Sequence, residues 1–222
     1  LYDRFRKRVM FPIINIRGNI VAFSGRAMPG EDKQAGKYVN TADTPVYKKS
    51  ENLFGINFAK NVCSERVILV EGNMDVISLH QAGFENTVAP LGTAFTTEQA
   101  NLLSRYTKEI VLMLDADAAG QKAVRRASEL LENTGLSVRV VVVPDGKDPD
   151  EYIKKNGKER FAALLEGAVS DMEYKLLTAA KDINLDNEDG RLKYLAAAAE
   201  IIAATDDIMT RDIYIGRLSE KY

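Results

Sequence analysis

Four short apolar runs in the middle of the chain limit what it can fold into. Arg66-Val-Ile-Leu-Val70, Thr87-Val-Ala89, Ile110-Val-Leu-Met-Leu114 and Val138-Arg-Val-Val-Val-Val143 have the length and aliphatic character of buried strands. A segment with helical signals separates each from the next. Met74 to Gln81 reads as a helix stopped by Gly83. Thr96-Thr-Glu-Gln99 opens a second, with Thr96 at the N-cap and Gln99 where it completes a capping box. Ala118 to Asn133 reads as a third, ended near Gly135. Strands this apolar, joined through helices, pair side by side. This predicts an α/β fold with a parallel sheet covered by helices on both faces.

The flanks read differently. Phe11-Pro-Ile-Ile-Asn-Ile16 and Ile20-Val-Ala-Phe-Ser24 flank Arg17-Gly18-Asn19, which predicts a β-hairpin. Lys37-Tyr-Val-Asn40 is a further short strand, and Leu53 to Asn61 a helix. After residue 150 there is no strand candidate. Phe161/Leu164/Leu165, Leu176/Leu177, Leu192/Leu195 and Ile201/Ile202 recur at helical spacing, with a turn at Asp186 to Gly190, which predicts a C-terminal helical bundle. The expected boundaries are a mixed α/β subdomain over 1–61, the parallel sheet over 62–150 and the bundle over 151–222.

The formal net charge of −2 alone argues against a nucleic-acid partner, but it averages opposed parts. Residues 1–60 hold 11 Lys/Arg against 5 Asp/Glu, and residues 61–150 hold 8 against 13. A basic front thus precedes an acidic body. One cysteine, Cys63, and one histidine, His80, exclude an internal disulfide framework and a structural zinc site, which needs about four such ligands. The expected compartment is the cytoplasm. No apolar run approaches the roughly 20 residues of a membrane span, so no membrane partner is expected. The chain opens at Leu1 in a basic stretch and reads as a piece of a longer protein.

The acids gather where the strands end. Glu71 follows the first strand in Glu71-Gly-Asn-Met-Asp75, and Asp115 and Asp117 follow the third. Asp145, Asp148 and Asp150 follow the fourth. In open α/β sheets ligands bind beyond the carboxyl ends of the strands. Carboxylates crowded there repel one another unless a cation intervenes. Oxygen donors without His or Cys suit Mg²⁺ or Mn²⁺. Asp75 and Asp117 can also serve as helix caps, and Asp145 as a plain turn residue.

These residues resemble the Toprim pattern, a metal-binding α/β domain marked by a Glu after one strand and Asp-x-Asp after a later one. The flanking text, Glu71-Gly-Asn-Met-Asp-Val76, Leu91-Gly-Thr-Ala94, Asp115-Ala-Asp-Ala-Ala-Gly120 and Pro144-Asp-Gly-Lys-Asp-Pro-Asp150, is similar to the bacterial DnaG-type primase family. So are Arg4-Phe-Arg-Lys-Arg-Val-Met-Phe-Pro-Ile13, Phe23-Ser-Gly-Arg26, Lys37-Tyr-Val-Asn40 and Lys48-Lys-Ser-Glu-Asn-Leu-Phe-Gly55. The family usually carries an aromatic residue where Asn73 stands, so packing between Glu71 and Asp75 is expected to differ.

The resemblance implies RNA primer synthesis on single-stranded DNA from ribonucleoside triphosphates, with two or more Mg²⁺ or Mn²⁺ ions. It implies Glu71, Asp75, Asp115 and Asp117 as catalytic residues, and Glu71, Asp115, Asp117, Asp148 and Asp150 as metal ligands. Glu71 is a ligand or a general base. Template and nucleotide would meet Arg4, Arg6, Arg8, Arg26, Lys37, Asn40, Lys48 and Lys49, some of the first three bracing the subdomain. Tyr38 and Tyr47 are candidate stacking platforms. Zinc belongs to a module outside this chain. A replicative helicase and a single-strand binding protein would be reached through modules also absent here, and the enzyme would act as a monomer at the replication fork. A Toprim nuclease, a topoisomerase-like enzyme and a non-enzymatic Toprim DNA-binding module are the alternatives. His80 and Cys63 read as packing residues, and Gly92 as a point where a phosphate could approach.

Overall fold

Asn15 turns the chain into its first hairpin. Its side-chain oxygen accepts the amides of Arg17 and Asn19, each at 3.0 Å, and Gly18 takes φ 88°. β1 (Arg8–Ile14) and β2 (Ile20–Ala27) therefore pair antiparallel, and β3 (Tyr38–Asn40) adds to the other edge of β2. The computed structural model describes residues 3–30, 36–114, 118–143 and 148–222. Its two units are Leu1–Ala168 and Val169–Tyr222.

The helix expected from Leu53 to Asn61 is shorter, with α1 spanning Ile56–Ala59. Phe54 instead exchanges backbone hydrogen bonds with Ala89 at 2.8 and 3.1 Å. Gly55 then turns at φ 83°, where an added Cβ would stand 2.9 Å from the Thr87 carbonyl oxygen. Only glycine lets this segment lie against the parallel sheet.

That sheet contains β4 (Arg66–Leu69), β5 (Thr87–Val88), β6 (Glu109–Leu112) and β7 (Ser137–Val140). The first unit orders them β5-β4-β6-β7, all parallel. Leu69 stands level with Val88 on one side and Leu112 on the other, and Leu112 with Val140. The carboxyl ends thus open on one edge. The crossovers are α2 (Asn73–Gln81), α3 (Thr97–Leu103) and α4 (Ala118–Leu131). Side chains alternate across the strands. Ile68, Val70, Val111 and Met113 pack on Val76 and Leu79 of α2, and on Ile153, Phe161 and Leu165 of α5 (Pro149–Glu166).

The capping box forms as the sequence spacing predicts: Thr96 and Gln99 exchange hydrogen bonds at 3.1 and 3.2 Å. It also does more. The Thr96 hydroxyl donates to the Ser50 carbonyl at 2.6 Å, and Gln99 Nε2 to those of Lys49 and Asn52 at 3.0 and 2.7 Å. The cap of α3 thereby holds the 49–52 turn of the basic subdomain.

Sequence pattern put the start of the helical bundle at residue 151, whereas the units divide after Ala168. The reason is Phe161 of α5, which is fully buried and lies 4.8 Å from the Phe84 ring between centroids. A helical period shows that a face is buried, but not against which core. The second unit contains β8 (Val169–Ser170), α6 (Asp171–Ala180), α7 (Glu188–Ala203) and α8 (Ile208–Lys221). Leu176, Tyr194, Ala198 and Ile202 form its core. Two-residue β8 was not foreseen, being too short to show a period. Among the described residues no helix is long and apolar enough to cross a membrane.

Candidate active site

β4 delivers Glu71 to the carboxyl edge of the sheet, two residues beyond Leu69. Glu71 is exposed and lines a cavity of about 400 Å³. Gly92 and Thr93 after β5, Leu114 after β6, and Ala119 and Arg126 of α4 share that cavity. Asp115 and Asp117 lie outside the described residues, as does Asp145. Leu114, immediately before the Asp-x-Asp motif, and Ala119, two residues after it, both line the cavity with Glu71. Among the described residues no three His, Cys, Asp or Glu side chains cluster as a metal site.

Asp75 fixes the peptide that follows Glu71. It is 8% exposed, and one carboxylate oxygen accepts the Gly72 amide at 3.1 Å while the other accepts the Asp150 amide at 3.3 Å. The start of α2 is thereby tied to the start of α5. Asn73 opens α2 and is buried beside this junction. Asp148 is the N-cap of α5, accepting the Glu151 amide at 2.7 Å. Asp150 accepts the Ser78 hydroxyl and pairs with Lys154 at 2.6 Å. Burial pushes the Asp150 pKa up, but hydrogen bonds from Lys154 and Ser78 and the charges of Lys154 and Arg26 outweigh it, so the carboxyl stays below its usual value.

The basic sheet meets this edge through β2 and β3. The Arg26 guanidinium lies 5.8 Å from the Tyr38 ring centroid. Burial raises the Tyr38 pKa, Arg26 opposes the rise, and the charges of Asp75 and Asp150 add to it. Arg26 and Tyr38 therefore stand within electrostatic reach of the acidic cluster. Asn40 Nδ2 donates to the Leu91 carbonyl at 2.8 Å, locking β3 to the loop that carries Gly92. Gly92 sits at φ 71°, and a Cβ there would come 2.7 Å from Asn40 Nδ2. Lys37 is exposed, and Lys48 pairs with Glu51 at 2.8 Å. The Lys49 side chain is half-buried.

Some candidates serve the fold. Arg8 spends its guanidinium on the carbonyls of Gly25, Gly36 and Lys37 at 3.0 to 3.4 Å, which makes it a brace. Arg4 and Arg6 are exposed. Tyr47, expected as a stacking platform, is 1% exposed and packs with Ile13, Ala22 and Leu91. His80 Nε2 pairs with the Thr87 carbonyl at 2.9 Å, and its ring meets Phe58 edge-on. Cys63 is fully buried. The sequence reading missed Arg126, whose only signal was a basic residue on α4 at helical spacing from the motif.

The fold and its acidic strand edge define a Toprim-type α/β domain joined to a basic antiparallel subdomain. Three family models match in order: the N-terminal domain of the DNA primase catalytic core over residues 1–60, a Toprim-like domain over 68–153 and the DnaB-helicase binding domain of primase over 172–222. The DNA primase of Clostridium acetobutylicum is 45% identical over 222 residues, all of this chain and 37% of that protein. The RNA polymerase domain of Mycobacterium tuberculosis primase DnaG, solved with double-stranded DNA, is 32% identical with a TM-score of 0.90, covering 98% of this chain and 71% of that one. A DnaG primase catalytic domain bound to single-stranded DNA is 35% identical with a TM-score of 0.79, covering 99% and 71%. The chain belongs to the DnaG primase family. It spans little more than a third of the length of the curated relative it matches. The family match over 172–222 corrects one expectation: a helicase-binding region was expected outside this chain, yet its helical end matches that model.

Proposed function

We propose that this chain carries the catalytic core of a DNA primase, joining ribonucleotides into short RNA primers on single-stranded DNA. The observation that carries the reading is the cavity that Glu71 shares with Leu114 and Ala119, which stand just before and just after the Asp-x-Asp motif, at an edge faced by a basic sheet. Glu71, Asp115 and Asp117 would hold two or more Mg²⁺ or Mn²⁺ ions, for which an oxygen-only donor set is suited. When bound, such ions lower the pKa of a 3′-hydroxyl and offset charge on the transferring phosphoryl group. Asp148 and Asp150 are further ligands at the same edge, already oriented by their hydrogen bonds. Asp75 positions Glu71 through the Gly72 amide.

Arg26, Lys37, Asn40, Lys48 and Lys49, with Arg4 and Arg6, form the approach for template and triphosphate. Arg8 braces that surface. The match over 172–222 supports a DnaB-type helicase as partner of the helical unit. The other partner is a single-strand binding protein, and the enzyme works as a monomer at the replication fork in the cytoplasm.

Primer synthesis by Glu71→Gln and Asp115→Asn, with ribonucleotides, single-stranded DNA and Mg²⁺ or Mn²⁺, tests the reading. Each variant should lose about a hundredfold or more in rate, the scale of removing one transition-state stabiliser. Near-wild-type rates with an intact circular dichroism spectrum would remove the assignment. DNA cleavage or relaxation by the wild type, without RNA product, would turn it to a nuclease or topoisomerase.

A further inference from the structure

Arg126 lies on the α4 face that carries Ala119, Ala123 and Ala127, and all four line the cavity with Glu71. The three alanines keep that face low, so Arg126 is the one long polar side chain α4 contributes to the wall. Its guanidinium makes no hydrogen bond or ion pair among the described residues. Lys122 and Arg125, on the same helix, are exposed as Arg126 is, but do not line the cavity.

A guanidinium presents donors in a planar fork that matches phosphate oxygens. Most of the wall around it is apolar, including Leu69, Val70 and Phe95, so Arg126 is the cationic group that the described wall offers to an anionic guest. Glu71 in the same cavity disfavours a bare anion, so an anionic guest must arrive with a cation. A polyphosphate carrying a divalent ion meets both conditions. We propose that Arg126 binds the phosphate oxygens of the triphosphate that leave as pyrophosphate, an assignment resting on the primase reading.

In the transfer step the 3′-hydroxyl oxygen bonds to the α-phosphorus, and the bond from that phosphorus to the α–β bridging oxygen breaks. Pyrophosphate leaves with the electron pair, and the hydroxyl proton passes to solvent. Arg126 keeps its proton throughout and offsets the charge gathering on the departing group.

Pyrophosphate binding tests the residue without turnover. Titration calorimetry of the protein with inorganic pyrophosphate and Ca²⁺ should show Arg126→Ala weakened by about tenfold or more, the loss of one charge-assisted contact. Arg126→Lys should fall between, and Arg125→Ala should match wild type. Affinity for a fluorescent single-stranded DNA should stay within about twofold for all three. Equal pyrophosphate affinity in Arg126→Ala and wild type would overturn the proposal, as would loss of DNA affinity alone. Primer synthesis by the wild type separately decides the primase reading, so the two fail by different measurements.

Discussion

Tyr47→Phe would remove an oxygen that the fold buries without a partner among the described residues. Tyr47 is 1% exposed, and its hydroxyl has no hydrogen-bond partner among the described residues. Burial, with a smaller contribution from the charge of Asp43, pushes its pKa from 10.0 to about 12. A folded-state value raised above the unfolded one leaves stability whole below about pH 10 and removes it as pH rises to about 12. Two pH units correspond to about 3 kcal/mol, of which about half is lost by pH 11. At neutral pH the phenylalanine variant should gain about 1 kcal/mol, because an unpartnered buried hydroxyl costs roughly that much to desolvate. Urea unfolding of both proteins at pH 7, 9, 10 and 11 checks this, with the gap between them cancelling the other tyrosines. The gap should open near 1 kcal/mol at pH 7 and widen by a similar amount at pH 11. A variant less stable than wild type at pH 7, or a gap that stays constant to pH 11, would refute the reasoning.

Two further substitutions test the contacts that join the basic subdomain to the sheet. Gly55→Ala should cost about 2–4 kcal/mol, since φ is 83° and the new Cβ would meet the Thr87 carbonyl and Val76; the urea midpoint should fall at unchanged slope. Thr96→Ala should cost about 1–2 kcal/mol by uncapping α3 and orphaning its bond to Ser50, and Thr96→Ser should restore most of it.

What could be read from the sequence was local. Strand and helix existence, the Thr96–Gln99 box, the hairpin at Arg17-Gly18-Asn19 and the acids at strand ends each depend on a few neighbouring residues, so spacing alone reports them. The departures lie where a distant contact outweighs that local preference. Phe54 leaves the expected helix because Ala89 offers it backbone hydrogen bonds. The helical region expected from residue 151 opens with a segment that joins the sheet unit, because Phe161 packs beside Phe84.

For the site the division is the same. Sequence alone determined that carboxylates follow three parallel strands and that cations crowd the first 60 residues, because residue type and order fix both. Only the tertiary structure decided which of those groups remain available for chemistry. It turned Arg8 inward onto backbone carbonyls, sank Tyr47 into a core and set Asn40 against Leu91. It also brought Arg126 into the cavity of Glu71, 55 positions earlier in the chain. Side-chain direction depends on which elements pack together, and that packing is a property of the whole chain rather than of any window within it.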